Sequence, residues 1–192
     1  MTFLEENYSD DFRDRLLPGE RIIWSGKPGG GLLFTGRDIF LIPFSLLWGG
    51  FAIFWETSVL RTGAPNFFDL WGIPFVLVGL YLIIGRFFAD AWFRKQLRYA
   101  VTDQRILILR KGLSRKFTAL PVDRLPNVDI NEKSNGRGTI RFGESAPLWG
   151  NRNGFGVWTP STDPTPQFLN VENVRQVFDR IQKLMAQKRN AS

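Results

Sequence analysis

The stretch YAVTDQRILILR, Tyr99 to Arg110, decides how the chain divides. An aromatic and a β-branched residue lead in, Thr-Asp-Gln makes a polar break, and Ile-Leu-Ile-Leu sits between two arginines. This reads as a β-hairpin with Asp103-Gln104 at its turn. Asp103 favours such a turn, and the Thr102 hydroxyl is placed to bond local backbone at the tip. Yet the residues just before it hold the two most apolar runs in the sequence. IFLIPFSLLWGGFAIFW, Ile39 to Trp55, carries no charge. FFDLWGIPFVLVGLYLIIGRFF, Phe67 to Phe88, has an uncharged centre from Leu70 to Gly85, with Asp69 and Arg86 at its ends. As a helix the first run spans ~26 Å, at the short end for a bilayer crossing.

Neither run carries a polar stripe of helical period, so each is apolar all round and must be buried in a large core or in lipid. A chain of 192 residues has no core large enough to enclose both. A soluble protein with a buried hairpin is the weaker rival reading. Pro43 and Pro74 do not favour it, because membrane helices tolerate proline. Trp48, Trp55, Phe67, Phe68, Trp71, Phe87, Phe88 and Trp92 crowd the ends of the runs, as interfacial aromatics do. Gly49, Gly50, Gly72 and Gly79 allow close helix approach, although the ordinary frequency of glycine in membrane helices accounts for them equally. The linker ETSVLRTGAPN, Glu56 to Asn66, is too short for a domain, so the runs form a helical hairpin. That loop carries only Arg61, whereas Arg86, Arg94, Lys95 and Arg98 follow the second run. The positive-inside bias then places both termini in the cytoplasm and the loop outside. The acidic N-terminus lacks an apolar core and does not read as a cleavable signal.

Composition excludes several chemistries. There is no cysteine and no histidine. Thiolate nucleophiles, disulfides, Cys-ligated metals and imidazole bases are thereby removed. Asp123, Asp129, Glu132 and Glu144 show no spacing that suggests a catalytic pair. No catalytic residue, metal site or cofactor is expected. Gly19 and Gly26 are too far apart for a phosphate loop, and Pro28 follows Lys27 where Ser or Thr is required. The net charge of +7 is uneven. Residues 1–38 hold five Lys/Arg against seven Asp/Glu, and residues 86–192 hold nineteen against nine. A basic C-terminal half suits an anionic surface, but the positive-inside bias explains it more simply. No nucleic-acid reading motif accompanies it.

Outside the hairpin the pattern is that of short strands. Asp10–Leu17 suggests a short helix ended by Pro18-Gly19. ERIIWSGKP, Glu20 to Pro28, reads as a strand with Ile22 and Trp24 on one face, followed by a flexible glycine turn. After the hairpin, strands are expected at Tyr99–Thr102, Arg105–Arg110, Lys116–Leu120, Val128–Glu132, Thr139–Phe142 and Phe155–Trp158. Asn135-Gly136 marks a hairpin turn with positive φ at both positions. TPSTDPTPQF reads as an extended loop. A helix over 170–187 follows, capped by Asn170, with Val171, Val174, Val177, Phe178, Ile181, Leu184 and Met185 on one face. The organisation is therefore an N-terminal segment (1–38), a transmembrane hairpin (39–88, helices 39–55 and 67–88) and a cytoplasmic domain (89–192).

LPGERIIWSGKP before the hairpin, YAVTDQRILIL after it and GTIRFG further on together resemble the membrane-associated members of the bacterial pleckstrin-homology (PH-like) domain family. The matching positions are Trp24, Gly26 and Pro28 in a Trp-x-Gly-x-Pro element, and Tyr99, Thr102 and Arg105 in a Tyr-x-x-Thr-x-x-Arg element. The resemblance implies an α+β fold: a bent antiparallel sheet of about six or seven strands closed by a C-terminal amphipathic helix. It does not imply phosphoinositide binding, because fold does not carry function. The expected function is a non-enzymatic, membrane-anchored interaction or scaffold protein, with a protein partner or a second copy as its target. The alternative is an anionic-lipid module using Arg94, Lys95, Arg98, Arg105, Arg110, Lys111, Arg115 and Lys116. Arg105 alternatively pairs with a carboxylate such as Asp103 or ties down a loop.

Overall fold

A computed structural model describes residues 8–36, 38–62, 66–112, 115–125, 127–143, 161, 163 and 165–190. Among these, seven strands form two antiparallel sheets: β1 (Ile22–Gly26), β2 (Leu97–Thr102), β3 (Arg105–Arg110) and β4 (Lys116–Pro121) in one, and β5 (Val128–Glu132), β6 (Gly138–Phe142) and β7 (Gln167–Val171) in the other. Between β1 and β2 the chain makes two long apolar helical stretches. The first is α1 (Asp38–Thr62); the second is α2 (Asn66–Leu80), a π-helical turn (Tyr81–Gly85) and α3 (Arg86–Lys95) in succession. The C-terminal helix is α4 (Val174–Asn190).

The hairpin at Tyr99–Arg110 forms as its pattern dictates. Leu97 pairs with Arg110, and Val101 with Ile106, leaving Asp103-Gln104 at the turn. Asp103 Oδ1 accepts the Arg21 N–H across to β1. Tyr99, Val101 and Ile106 face the main core with Ile140, Phe142, Phe168, Val171 and, from α4, Val174, Val177 and Ile181. Each large apolar side chain fully buried there stabilises the fold by about 1.5–3 kcal/mol. Phe168 is the hub: the Tyr99 ring stacks on it at 4.6 Å, Phe142 meets it edge-on at 5.0 Å and Trp24 lies at 5.6 Å.

Several expectations are corrected. A β-bulge between Ile22 and Trp24 shifts the β1–β2 register by one residue. Because strand side chains alternate, that shift sends the two to opposite faces. Trp24 packs on the main core, whereas Ile22 joins Phe12, Ala100, Leu107 and Leu109 on the other side. The first sheet is thus covered on both faces, the outer one by a 3-10 helix at Tyr8–Arg15 through its buried Phe12. The helical stretches outrun their apolar segments, so Glu56–Thr62, read as loop, is helix. The strand expected at Phe155–Trp158 lies outside the described residues. The last strand is instead β7, at the end of the stretch read as loop and start of the one read as helix. Asn170 therefore sits in a strand, and α4 starts at Val174 after Asn173, whose carbonyl accepts the Gln176 and Val177 N–H groups. The β5–β6 turn has only Gly136 at positive φ, not Asn135 as well. Three residues lie between Lys133 and Arg137, which suits one left-handed glycine rather than a two-residue turn.

The two helical stretches pack closely at Gly49 and Gly79. A Cβ on Gly79 would stand 2.8 Å from the Gly49 Cα, so glycine here serves close approach and not mere composition. Gly72 likewise leaves room for the Glu56 carboxyl, against which a Cβ would collide.

Candidate functional site

The junction between helices and sheets is built from charges that the sequence places far apart. Asp38, at the start of α1, meets Arg86, at the start of α3, at 2.6 Å with both side chains buried. Asp38 Oδ2 also accepts the Thr35 N–H (2.6 Å) and hydroxyl (3.0 Å), so it ends the preceding linker and opens the helix at once. Arg86 Nε donates to the Leu82 carbonyl (3.0 Å), inside the π-helical turn. Two turns further along α3, Arg94 Nε donates to Asp90 Oδ2 at 2.7 Å. Its other nitrogens donate to the carbonyls of Gly29 (2.9 Å) and Gly31 (2.6 Å). The free oxygen of Asp90 takes the Ser161 N–H. Gly29 is held from the other side as well: its N–H donates to the Asn170 carbonyl at 2.7 Å, and Asn170 Nδ2 returns a bond to the Gly29 carbonyl. A Cβ at Gly29 would press to 2.9 Å from the Asn170 carbonyl oxygen. The glycine turn expected to be flexible is therefore clamped between α3 and β7.

At the opposite end of the sheet the Thr102 and Arg105 motif positions converge on Glu20. Gly19, at positive φ, makes the turn that brings Glu20 under the β2–β3 hairpin. Glu20 accepts from Thr102 Oγ1 (2.6 Å), from Arg105 Nε (3.1 Å) and Nη2 (2.6 Å), and from the Leu17 N–H (2.7 Å). Burial pushes the Glu20 carboxyl up, but the bonds from Arg105, Leu17 and Thr102, with the Arg105 charge, outweigh it and hold it at about 2. The same hydrogen bond raises the Arg105 guanidinium above its usual value. Carboxylate pairing of Arg105 is observed, with Glu20 rather than Asp103 as partner, and Nη2 also ties down the N-terminal segment at the Arg15 carbonyl (3.2 Å). Tyr99 is fully buried, its hydroxyl accepts the Leu169 N–H at 3.1 Å, and burial raises its phenol above the usual range. Gly26 is required by Trp24: a Cβ there would reach 2.6 Å from the indole ring. Pro28 is buried beside Gly29.

The eight basic candidates thus divide. Arg94 is buried and Arg105 is tied to Glu20, so neither guanidinium is presented to a ligand. Arg98 pairs with Asp11 at 3.2 Å and caps the Lys95 and Leu97 carbonyls. Arg110 donates to the Ser161 carbonyl and lies over the Phe93 ring. Lys111 meets Asp11 at 2.6 Å. Lys95, Arg115 and Lys116 are exposed. They share the end of the first sheet where α3 delivers the chain into β2, since Leu97 pairs with Arg110 and Arg110 with Lys116. At the other end, a cleft of about 330 Å³ opens between the Val122–Asp123 turn and the last turns of α4, with Met185 and Ala186 in its lining and Lys188 and Arg189 beside them. Among the described residues no three acidic side chains gather as a metal site would need.

Sequence reasoning missed Glu20, Asp38 and Asp90, and gave Asn170 a capping role in place of its bonds to Gly29. The Arg105–Glu20, Ser161–Asp90 and Asn170–Gly29 contacts join residues 85, 71 and 141 positions apart. Only Glu20 left a trace, as a carboxylate inside the stretch that carries the family resemblance. No curated protein and no solved structure matches the chain. The family model described as bacterial PH domain matches residues 40–185. That match runs through nearly all of the helical hairpin, strands β2 to β7 and most of α4, and the chain belongs to the bacterial PH domain family.

Proposed function

We propose that the chain is an integral protein of the bacterial inner membrane, with two spans and both termini cytoplasmic. Its PH-like domain is a non-enzymatic interaction or scaffold module. The observation that carries this reading is how the hairpin meets its surroundings. Asp38–Thr62 and Trp71–Lys95 are 25 residues each, with mean hydropathy 1.6 and 1.9, and only 22% of each apolar window is covered by the rest of the chain. Ile39, Phe40, Leu47, Phe51, Phe54, Leu60 and Leu77 are exposed on them. An uncovered apolar surface of that extent is compatible with lipid and not with water. The orientation follows from basic residues at the sheet end of the hairpin against Arg61 at its loop. The clamped junction makes the domain a rigid extension of the hairpin, and tethering raises its effective concentration for a partner in the same membrane.

The absence of cysteine gives a clean test. Thr62→Cys and Gln104→Cys are expected to react differently with a membrane-impermeant maleimide in intact spheroplasts, the first labelled and the second protected until lysis. Labelling of Gln104→Cys before lysis would overturn the orientation. A second reading, anionic-lipid binding, is favoured by the exposed Lys95, Arg115 and Lys116 at the helix-exit end of the sheet, each contributing about 1 kcal/mol near an acidic surface.

A further inference from the structure

The linker between β1 and α1 has an arrangement that its loop character does not require. Leu33 turns inward and is buried, whereas Leu32 and Phe34 on either side are 55% and 53% exposed. Exposed apolar side chains in a loop are ordinarily free to fold back; these are not. The backbone that carries them is fixed by Arg94 at Gly29 and Gly31, by Lys133 Nζ at the Phe34 carbonyl (3.0 Å), and by Asp38 at Thr35. Phe34 lies against Phe87 at 5.3 Å, and Phe88 and Trp92, one turn apart on α3, are 66% and 52% exposed. The linker and α3 together leave four large apolar groups exposed, with Phe34 packed on α3 through Phe87.

Their level is set by the helices. Counting about 20 residues of hydrocarbon span at 1.5 Å each from the loop end of α2 brings the inner edge near Arg86. Arg86 is level with Asp38 through their ion pair. From Arg86 to Trp92 is ~9 Å along the helix, close to the ~5–8 Å depth of one headgroup layer. Phe88, ~3 Å along, and Phe34, against Phe87, therefore fall in the layer where side chains with apolar bodies are favoured, with Trp92 at its cytosolic edge and Leu32 two residues from Phe34. Lys133, at the start of the β5–β6 turn, is held beside Phe34 through its carbonyl.

We propose that residues 30–36, with Phe88 and Trp92, form an interfacial foot that seats the PH-like domain in the inner-leaflet headgroup layer, its occupant being the bilayer interface itself. This rests on the two-span reading above. The foot fixes the height and tilt of the domain, so that the β5–β6 turn stays at the surface and the Asp103-Gln104 turn points to the cytosol.

The test uses the full chain in vesicles of phosphatidylcholine with a minority of phosphatidylglycerol. Spin labels are placed on single cysteines at Leu32, Phe34, Phe44 and Gln104, and their relaxation by oxygen and by a water-soluble nickel chelate is compared. The label at Phe44 is expected to be deep in lipid, those at Leu32 and Phe34 to be shielded from nickel at shallow depth, and that at Gln104 to be open to nickel. Labels at Leu32 and Phe34 as open as Gln104, with Phe44 still shielded, overturn the foot while leaving the two spans intact. A label at Phe44 open to nickel overturns both. As a second measurement, Leu32→Glu with Phe34→Glu is expected to raise nickel access at a label on Ser134 several-fold. An unchanged Ser134 signal in that variant also overturns the proposal.

Discussion

Replacing Glu20 by glutamine removes one negative charge from a carboxylate that accepts four hydrogen bonds, two of them from the Arg105 fork. The amide keeps one acceptor oxygen, so two of the four donors lose their partner, and the Arg105 charge loses its counter-ion. The Glu20 carboxyl is held at about 2 against an ordinary 4.5, a difference worth about 3 kcal/mol in the folded state. Breaking a buried pair by removing one partner costs a similar ~3–5 kcal/mol. For a domain of this size that corresponds to a fall in unfolding midpoint of roughly 10 °C. The sign with pH is fixed by the same depression: the contribution is complete above the unfolded value of 4.5 and is lost as pH falls from there toward about 2. Thermal unfolding of the full chain in detergent micelles, followed by tryptophan fluorescence, measures both quantities. The Glu20→Gln midpoint is expected well below the parent at neutral pH, with the gap closing as the buffer approaches pH 2. Equal midpoints at neutral pH, or a gap that persists undiminished in acid, would refute the assignment of Glu20 as the charged anchor of the β2–β3 hairpin.

Three further outcomes are expected. Gly79→Leu forces the helices apart, because its Cβ would meet Gly49 backbone, and costs about 1–3 kcal/mol; Gly50→Leu, whose Cβ meets nothing within 4 Å, leaves the midpoint unchanged. Arg94→Ala strands Asp90 and releases Gly29 and Gly31, so limited proteolysis is expected to cut the 29–31 linker, and Arg94→Lys does not restore protection because one ammonium cannot reproduce the three-way reach of the fork. Joint replacement of Lys95, Arg115 and Lys116 by glutamine is expected to lower the preference of the reconstituted chain for anionic over zwitterionic spin-labelled lipid by up to ~10²-fold with no change in midpoint, and raised salt to lower it in the parent.

Much of the fold was legible because its signals are local. Short aromatic and β-branched runs bounded by turn residues wrote β2, β3 and β4 into the sequence to within two residues. Uninterrupted apolar runs gave the helical hairpin. The failures have equally definite causes. β7 is buried at all five positions, so Gln167–Val171 lacks the two-residue alternation of a half-exposed strand. The β1 bulge is invisible to a periodicity argument that assumes one register throughout. The second helical stretch continues past its apolar segment because Asp90 and Arg94 are satisfied inside the fold, and polar residues so satisfied do not end a helix.

The candidate site was less legible, and arginine explains why. Arg86, Arg94, Arg98, Arg105 and Arg110 all appear in the sequence as positive charges near a membrane exit or a turn, and all five are spent internally on carboxylates or carbonyls. A guanidinium is weakly hydrated and offers five donors in a fixed fork, so it can be taken out of water where several backbone acceptors converge. Lysine, with a compact and strongly hydrated ammonium, is left outside: Lys95 and Lys116 are exposed, and Lys111 and Lys133 are paired but at the surface. Counting Lys and Arg together therefore overstated the charge available to a ligand. Arg86 and Arg94 hold the domain on its hairpin, and of the eight basic candidates only Lys95, Arg115 and Lys116 are left exposed with no side-chain contact to a carboxylate or carbonyl among the described residues.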